Sequence, residues 1–292
     1  MTDRTNGRDT PPARTGSAAR WENENPVGFT EHDIEDIEAS SRLRAPMIYE
    51  VLRREGDEEM ARPAISLWWS GLAAGLSISF SLLTQAVLTL DLPDAPWRPL
   101  IAGFGYPVGF LLVILARQQL FTENTITAVL PIAASLTFAS LARLARLWAI
   151  VLAANVTGTL IAALFCSFTP VLPADLLGAM LGLSHQAMDG GPIVLFFKAI
   201  SAGYLIAAMV WLIPSAEGAQ FLVITLLTYV IAIAGFAHIV AGGFEAFMLL
   251  TNGKLALVPM LAGFTVPVLA GNVIGGTALF ALISYAQVAK EV

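Results

Sequence analysis

The sequence predicts an all-α membrane protein of six transmembrane helices, the second and fifth of them broken, arranged as an inverted 3+3 repeat. Three observations carry this expectation. Hydrophobic residues fill 56% of the 292 positions, and the mean hydropathy is +0.71. Charged residues make up 13%, against roughly 25% in a soluble domain. Apolar stretches of the about 20 residues that span a bilayer recur six times, and two are overlong and interrupted. Such a composition argues against an ordinary soluble enzyme, a nucleic-acid binder and a disordered chain.

The charges are unevenly placed. Residues 1–65 hold nine basic and fourteen acidic side chains, most of the charge in the chain. Residues 1–29, rich in Pro, Gly, Ser, Thr and charge, are expected to be a disordered polar tail. Their first twenty positions lack the apolar core of a secretory signal. Residues 30–62 are expected to form a cytoplasmic amphipathic helical segment. Thr30 is positioned to cap it, Ile34 to Leu52 give an irregular apolar stripe, and Pro46 is expected to kink or end its first part. This segment has two readings, a helix lying against the membrane domain or a neighbouring subunit, and a plug over its opening.

Residues 63–292 then form the transmembrane domain. The expected spans are 66–90, 97–134, 143–168, 191–213, 218–250 and 260–288. The second is broken by RQQLFTENT and the fifth by GFAHIVAGG. Arg53, Arg54, Arg62, Arg143, Arg146 and Lys290 fall on one side of that topology, Asp91, Asp94, Asp175 and Asp189 on the other. The excess of basic residues places both termini in the cytoplasm.

An internal repeat is legible in the landmarks. Thr122, in the first break, precedes Asn155-Val156-Thr157-Gly158, and His238, in the second, precedes Asn272-Val273-Ile274-Gly275 at nearly the same spacing. Three spans per copy force the second copy to be inverted, an architecture of transporters and channels with the substrate path at the repeat interface. Non-helical backbone at that depth must be buried in protein or line a cavity, because lipid satisfies no amide.

His238 is the most informative side chain. Histidine changes charge near neutrality, and an ionisable group at a helix break suits attraction of an anion or proton exchange with it. The plainer reading is a neutral, hydrogen-bonded core histidine. Thr122 can donate to an anion or to the ring, or bond a backbone carbonyl. Glu123, Asn124 and Glu245 are expected to cap the half-helices after the breaks; the other reading of Glu123 is a second titrating group. Tyr106, Phe110, Leu120 and Phe121 form either dry constrictions or ordinary packing. Lys198 either snorkels to the interface or adds positive potential to a vestibule. Cys166 stands alone and the three histidines show no ligand spacing, so no disulfide, metal, cofactor or catalytic group is expected.

Leu120-Phe121-Thr122 followed by Glu123-Asn124-Thr125, then Gly235-Phe236-Ala237-His238, then Gly271 to Gly276, in this order and spacing, resemble the formate/nitrite transporter family over about 60–290. SRLRAP at 41–46 is similar to a less characterised branch of it. The resemblance implies an aquaporin-like fold, a homopentamer with one pore per protomer, and a bacterial inner-membrane location. It also implies a central pore histidine at His238, a threonine opposite at Thr122, and constrictions near Tyr106, Phe110, Leu120 and Phe121. Ala237, Gly242 and Ala207 stand where better-studied members carry polar residues, which leaves the pore drier. The function this implies is passage of a small monovalent anion, such as formate, nitrite or a short carboxylate, with proton assistance at His238. The alternatives are an aquaporin-like channel for a neutral solute and a non-transporting membrane sensor.

Overall fold

The computed structural model describes residues 43–134 and 136–291; the expected tail 1–29 and the cap at Thr30 lie outside them. The described chain is helical. Helix α1 covers Ala45–Ala61. The apolar helices that follow are α2 (Ala64–Asp91), α3 (Arg98–Leu115), α4 (Asn124–Ala133), α5 (Phe138–Phe168), α7 (Gly191–Ser215), α8 (Gln220–Ile233), α9 (Ala241–Thr251) and α10 (Leu257–Val288). Helix α6, Ala174–Ala187, lies between α5 and α7. Among the described residues, α2, α3, α5, α7 and α10 are long and apolar enough to cross a membrane.

Several boundaries differ from the expected ones for local reasons. Pro46 sits in the first turn of α1, where its missing N–H costs nothing, and the helix runs past the expected Leu52 to Ala61; the first part that Pro46 was expected to kink or end lies outside the described residues. The extension is held by Glu50, whose carboxylate accepts from Arg53 Nε at 2.7 Å and Arg54 Nε at 2.7 Å, and by an Arg53–Asp57 pair at 2.8 Å. Helix α5 starts five residues before the expected span. Thr137 Oγ1 accepts from the Ser140 backbone N–H at 3.1 Å and Ser140 Oγ from that of Thr137 at 3.0 Å, a reciprocal cap. Helix α6 was not expected at all. Its Met180 is buried in a satellite cluster with Leu82, Ala163, Phe244 and Met248, long-range packing that a 14-residue stretch does not advertise.

The core is built from two helix pairs, α2 along α5 and α7 along α10. Both pairs meet through glycine. A side chain on Gly75 would collide with the backbone of Asn155, and one on Gly203 with the backbone of Asn272, so the helix axes approach as closely as small residues permit. Helix α10 loosens into π-helical turns at Leu261–Thr265 and Ile274–Ala281. Thr277 Oγ1 in the second donates to the Thr125 carbonyl at 2.8 Å, tying α10 to α4.

Helix α1 docks on this core through Ile48, Tyr49, Leu52, Gly56 and Met60. Tyr49 O–H donates to the Leu130 carbonyl at 3.4 Å and its ring lies 5.7 Å from that of Tyr285. Arg146, expected only to mark the basic side, donates to the Arg62 carbonyl at 3.1 Å. The start of α1 and the end of α10 therefore lie on one side of the molecule.

Candidate functional site

Two non-helical segments, 116–123 after α3 and 234–240 after α8, enter the interior and are built alike. Helix α3 ends with Arg117 at φ 54° and a bond from Gln118 N–H to the Val113 carbonyl at 2.9 Å. Helix α8 ends with Gly235 at φ 62° and a bond from Phe236 N–H to the Ile231 carbonyl at 3.0 Å. These are left-handed caps, easy for glycine and strained for arginine.

One asparagine then clamps each segment. Asn155 on α5 accepts from Phe121 N–H at 2.9 Å and donates to the carbonyls of Gln119 and Gly71, both at 2.8 Å. Asn272 on α10 accepts from Ile239 N–H at 2.8 Å and donates to the carbonyls of Ala237 at 3.0 Å and Ala199 at 2.8 Å. Each side chain is fully buried and pairs backbone groups that lipid would leave bare. The asparagines were legible as sequence landmarks, but their clamping role was not. A polar residue beside a packing glycine on a membrane helix is the signal that could have found it.

The segments meet at a side-chain contact. Thr122 Oγ1 lies 2.7 Å from His238 Nε2, and both residues are buried. His238 Nδ1 accepts from the backbone N–H groups of Val240 at 3.3 Å and Ala241 at 3.2 Å. The histidine thus caps α9. An acceptor at Nδ1 puts the ring proton on Nε2, aimed at the Thr122 oxygen, and leaves the threonine hydroxyl proton free to turn to another acceptor. The expected caps at Glu123, Asn124 and Glu245 do not form: the two half-helix starts show no capping bond from Glu123 or Glu245, and the Asn124 amide donates to Gln119 Oε1 at 3.1 Å. The matching hydrogen bonds pair Phe121 with Ile239, so Leu120 is the equivalent of His238, and Thr122 is its partner.

The other candidate residues divide. Phe110 meets the His238 ring edge-on at 5.1 Å and Tyr106 at 5.2 Å. Tyr106, Lys198 and His238 line a cavity of about 140 Å³ together with Glu245 and Phe264. Leu120 is fully buried and lines neither this cavity nor the larger one. The Phe121 ring packs against Trp148 at 5.7 Å, away from Phe110. The larger cavity, about 530 Å³, lies against the first segment and is lined by Gln119, Glu123, Arg117 and, from α1, Leu52, Glu55 and Glu59. An Arg117–Glu55 ion pair at 3.5 Å crosses from the segment to α1.

A bundle of membrane-length helices, two clamped loops meeting at a buried Thr–His contact, and a cavity lined by each loop define a polytopic membrane protein built like a channel. The formate/nitrite transporter model matches residues 46–286, and the chain belongs to that family of small-anion transporters and channels. It is 42% identical over 85% of its length, and 80% of the relative's, to the inner membrane protein YfdC of Escherichia coli. It is 27% identical to the nitrite transporter NirC of Salmonella typhimurium, over 62% of this chain and 67% of that one. Its fold matches a solved FNT family ion channel with a TM-score of 0.73, and a pentameric formate channel with formate bound with 0.67. Both are 21% identical, over 82% and 78% of this chain and 98% of each of those.

Proposed function

We propose that the protein is a channel or transporter for small monovalent anions in a bacterial inner membrane, with proton-assisted permeation past the Thr122–His238 contact. The observation that carries this is the 2.7 Å contact itself, made by two non-helical segments in the interior and flanked by one cavity on each loop. On this reading α3 with α4, and α8 with α9, are the halves of two broken spans. The matching clamps at Asn155 and Asn272 support an inverted 3+3 repeat with an aquaporin-like path at its interface.

The termini are cytoplasmic, which makes the larger cavity the inner vestibule and the smaller one the outer vestibule. Lys198 supplies positive potential in the outer vestibule. Phe110, beside the histidine, makes the contact dry, and a bare anion crosses such a place only at high cost. The Thr122 hydroxyl is the donor the permeant meets, and the neutral acid is the form that passes. Helix α1, a wall of the inner vestibule, limits its opening. The pentamer of the formate channel, and the large exposed side chains here such as Phe138, Ile193 and Phe197, support a homopentamer whose protomers each hold a path.

Reconstituted protein tests this directly. Flux of labelled formate, nitrite and lactate into proteoliposomes is expected to rise as the pH falls from 8 to 5. A pH-independent flux overturns the proton step, and water or glycerol swelling without anion flux overturns the anion reading.

A further inference from the structure

Glu245 is buried within the membrane-depth interior, 8% exposed, on α9 two turns after His238. Its carboxyl lines the smaller cavity and makes no hydrogen bond or ion pair with any described residue. The side chain folds back toward the start of its helix. Oε2 lies 3.7 Å from where a side-chain carbon on Gly242 would stand, while the Phe264 ring closes that position to anything larger than glycine. The carboxyl therefore lies beside Gly242, in the cavity that His238 also lines.

The ionisable groups facing this cavity come from four elements: Glu245 on α9, Lys198 on α7, Tyr106 on α3 and His238 on the second loop. Lys198, a cation, and Glu245, an acid, face one space of about 140 Å³ and make no ion pair with each other. Two such groups held apart leave room between them for a small ligand that takes both. The Lys198 ammonium reaches the backbone at Gly235, 3.9 Å from that residue's side-chain position, and offers a donor to a carboxylate. Glu245, with no donor of its own, is costly as a buried anion and has a proton to give as an acid. His238 is less free to act, because Nδ1 is engaged by two backbone N–H groups and Nε2 by Thr122.

We propose that Glu245 is the proton-carrying group of this cavity, protonating a weak-acid anion held at Lys198 before it crosses the Thr122–His238 contact. This rests on the reading that the permeant is a weak-acid anion. In the step, the O–H bond of Glu245 breaks and an O–H bond forms on the permeant oxygen. The permeant leaves as the neutral acid, and the Glu245 carboxylate regains its proton from water outside. The reverse sequence serves efflux.

Labelled formate and lactate flux into proteoliposomes, measured from external pH 5 to 8, tests the step in wild type, Glu245→Gln and Glu245→Asp, with assembly of each checked by gel filtration. Wild-type flux is expected to rise at acidic pH. Glu245→Gln is expected to lose about tenfold or more of the flux at pH 7 together with the external pH dependence, and Glu245→Asp to restore both in large part. Wild-type flux and pH profile in Glu245→Gln overturn the assignment while leaving the anion reading intact. An equal loss at every pH in both variants makes Glu245 structural and also overturns it. A wild type that moves neither anion at any pH overturns the anion reading and this inference with it.

Discussion

Thr122 and His238 lie 116 positions apart in the chain and 2.7 Å apart in the structure, each delivered by a different loop. Each loop that delivers one of the two is pinned by an asparagine, Asn155 for the first and Asn272 for the second. His238 is further oriented by the start of α9, which supplies two N–H groups to Nδ1. The geometry of the pair is therefore set by backbone, with little freedom left to the side chains.

Thr122→Val keeps the shape and removes the oxygen. The His238 Nε2–H then loses its acceptor, a loss of about 1–3 kcal/mol for a buried donor, and the permeant loses its hydroxyl. We expect anion flux to fall at least about tenfold, with Thr122→Ser close to wild type. Equal flux in Thr122→Val and wild type contradicts the role given to the hydroxyl.

Asn155→Ala and Asn272→Ala each remove three buried hydrogen bonds. Each bond contributes about 1 kcal/mol net and more when its partner is left bare, so each variant is expected to lose about 3 kcal/mol or more. A thermal melt in detergent reads this as a clearly lowered midpoint for both variants, and an unchanged midpoint in either shows that its loop is held by something else.

Gly56→Ala tests the docking of α1. A side chain at 56 would meet the Thr127 carbonyl and Pro131, and overpacking of this kind costs about 1–3 kcal/mol. We expect faster tryptic cleavage at Arg53 and Arg54, with α2 to α10 as resistant as before.

Glu50 gives α1 a pH response. Hydrogen bonds from Arg53 and then Arg54 hold its carboxyl down to about 2, from an ordinary 4.5. A lowered folded value means that the stabilisation is fully present above pH 4.5 and is lost as the pH falls toward 2. The pair is partly exposed, so the effect is small. Amide exchange across 45–61 is expected to be flat from pH 7 to 5, after correction for intrinsic rates, and to show lower protection by pH 3; Glu50→Gln is expected to show that lower protection throughout.

Much of this was legible in the sequence where the cause is local or compositional. Hydropathy located the apolar stretches, and the polar run at 117–125 and the glycines of 235–243 located the two loops, because a membrane helix tolerates such runs only where it stops. His238 and Thr122 stood out as polar residues at that depth. What stayed hidden depends on partners distant in the chain. Helix α6 is held by burial of Met180 against α9 and α2. Glu245 reads as a cap by its place near the start of α9, yet the cap is His238, whose ring reaches forward from the loop to the N–H groups of Val240 and Ala241. The register of the two loops was misjudged for the same reason: spacing alone equated Thr122 with His238, and the left-handed caps and the asparagine bonds together show that Leu120 is the equivalent.

The central claim is that the permeant passes the Thr122–His238 contact. Flux of labelled formate through reconstituted, fully assembled His238→Phe, beside wild type at pH 5 and 7, tests it most directly. Loss of flux at both pH values with assembly intact is the expected result. Full flux in that variant contradicts the claim and moves the path elsewhere in the fold.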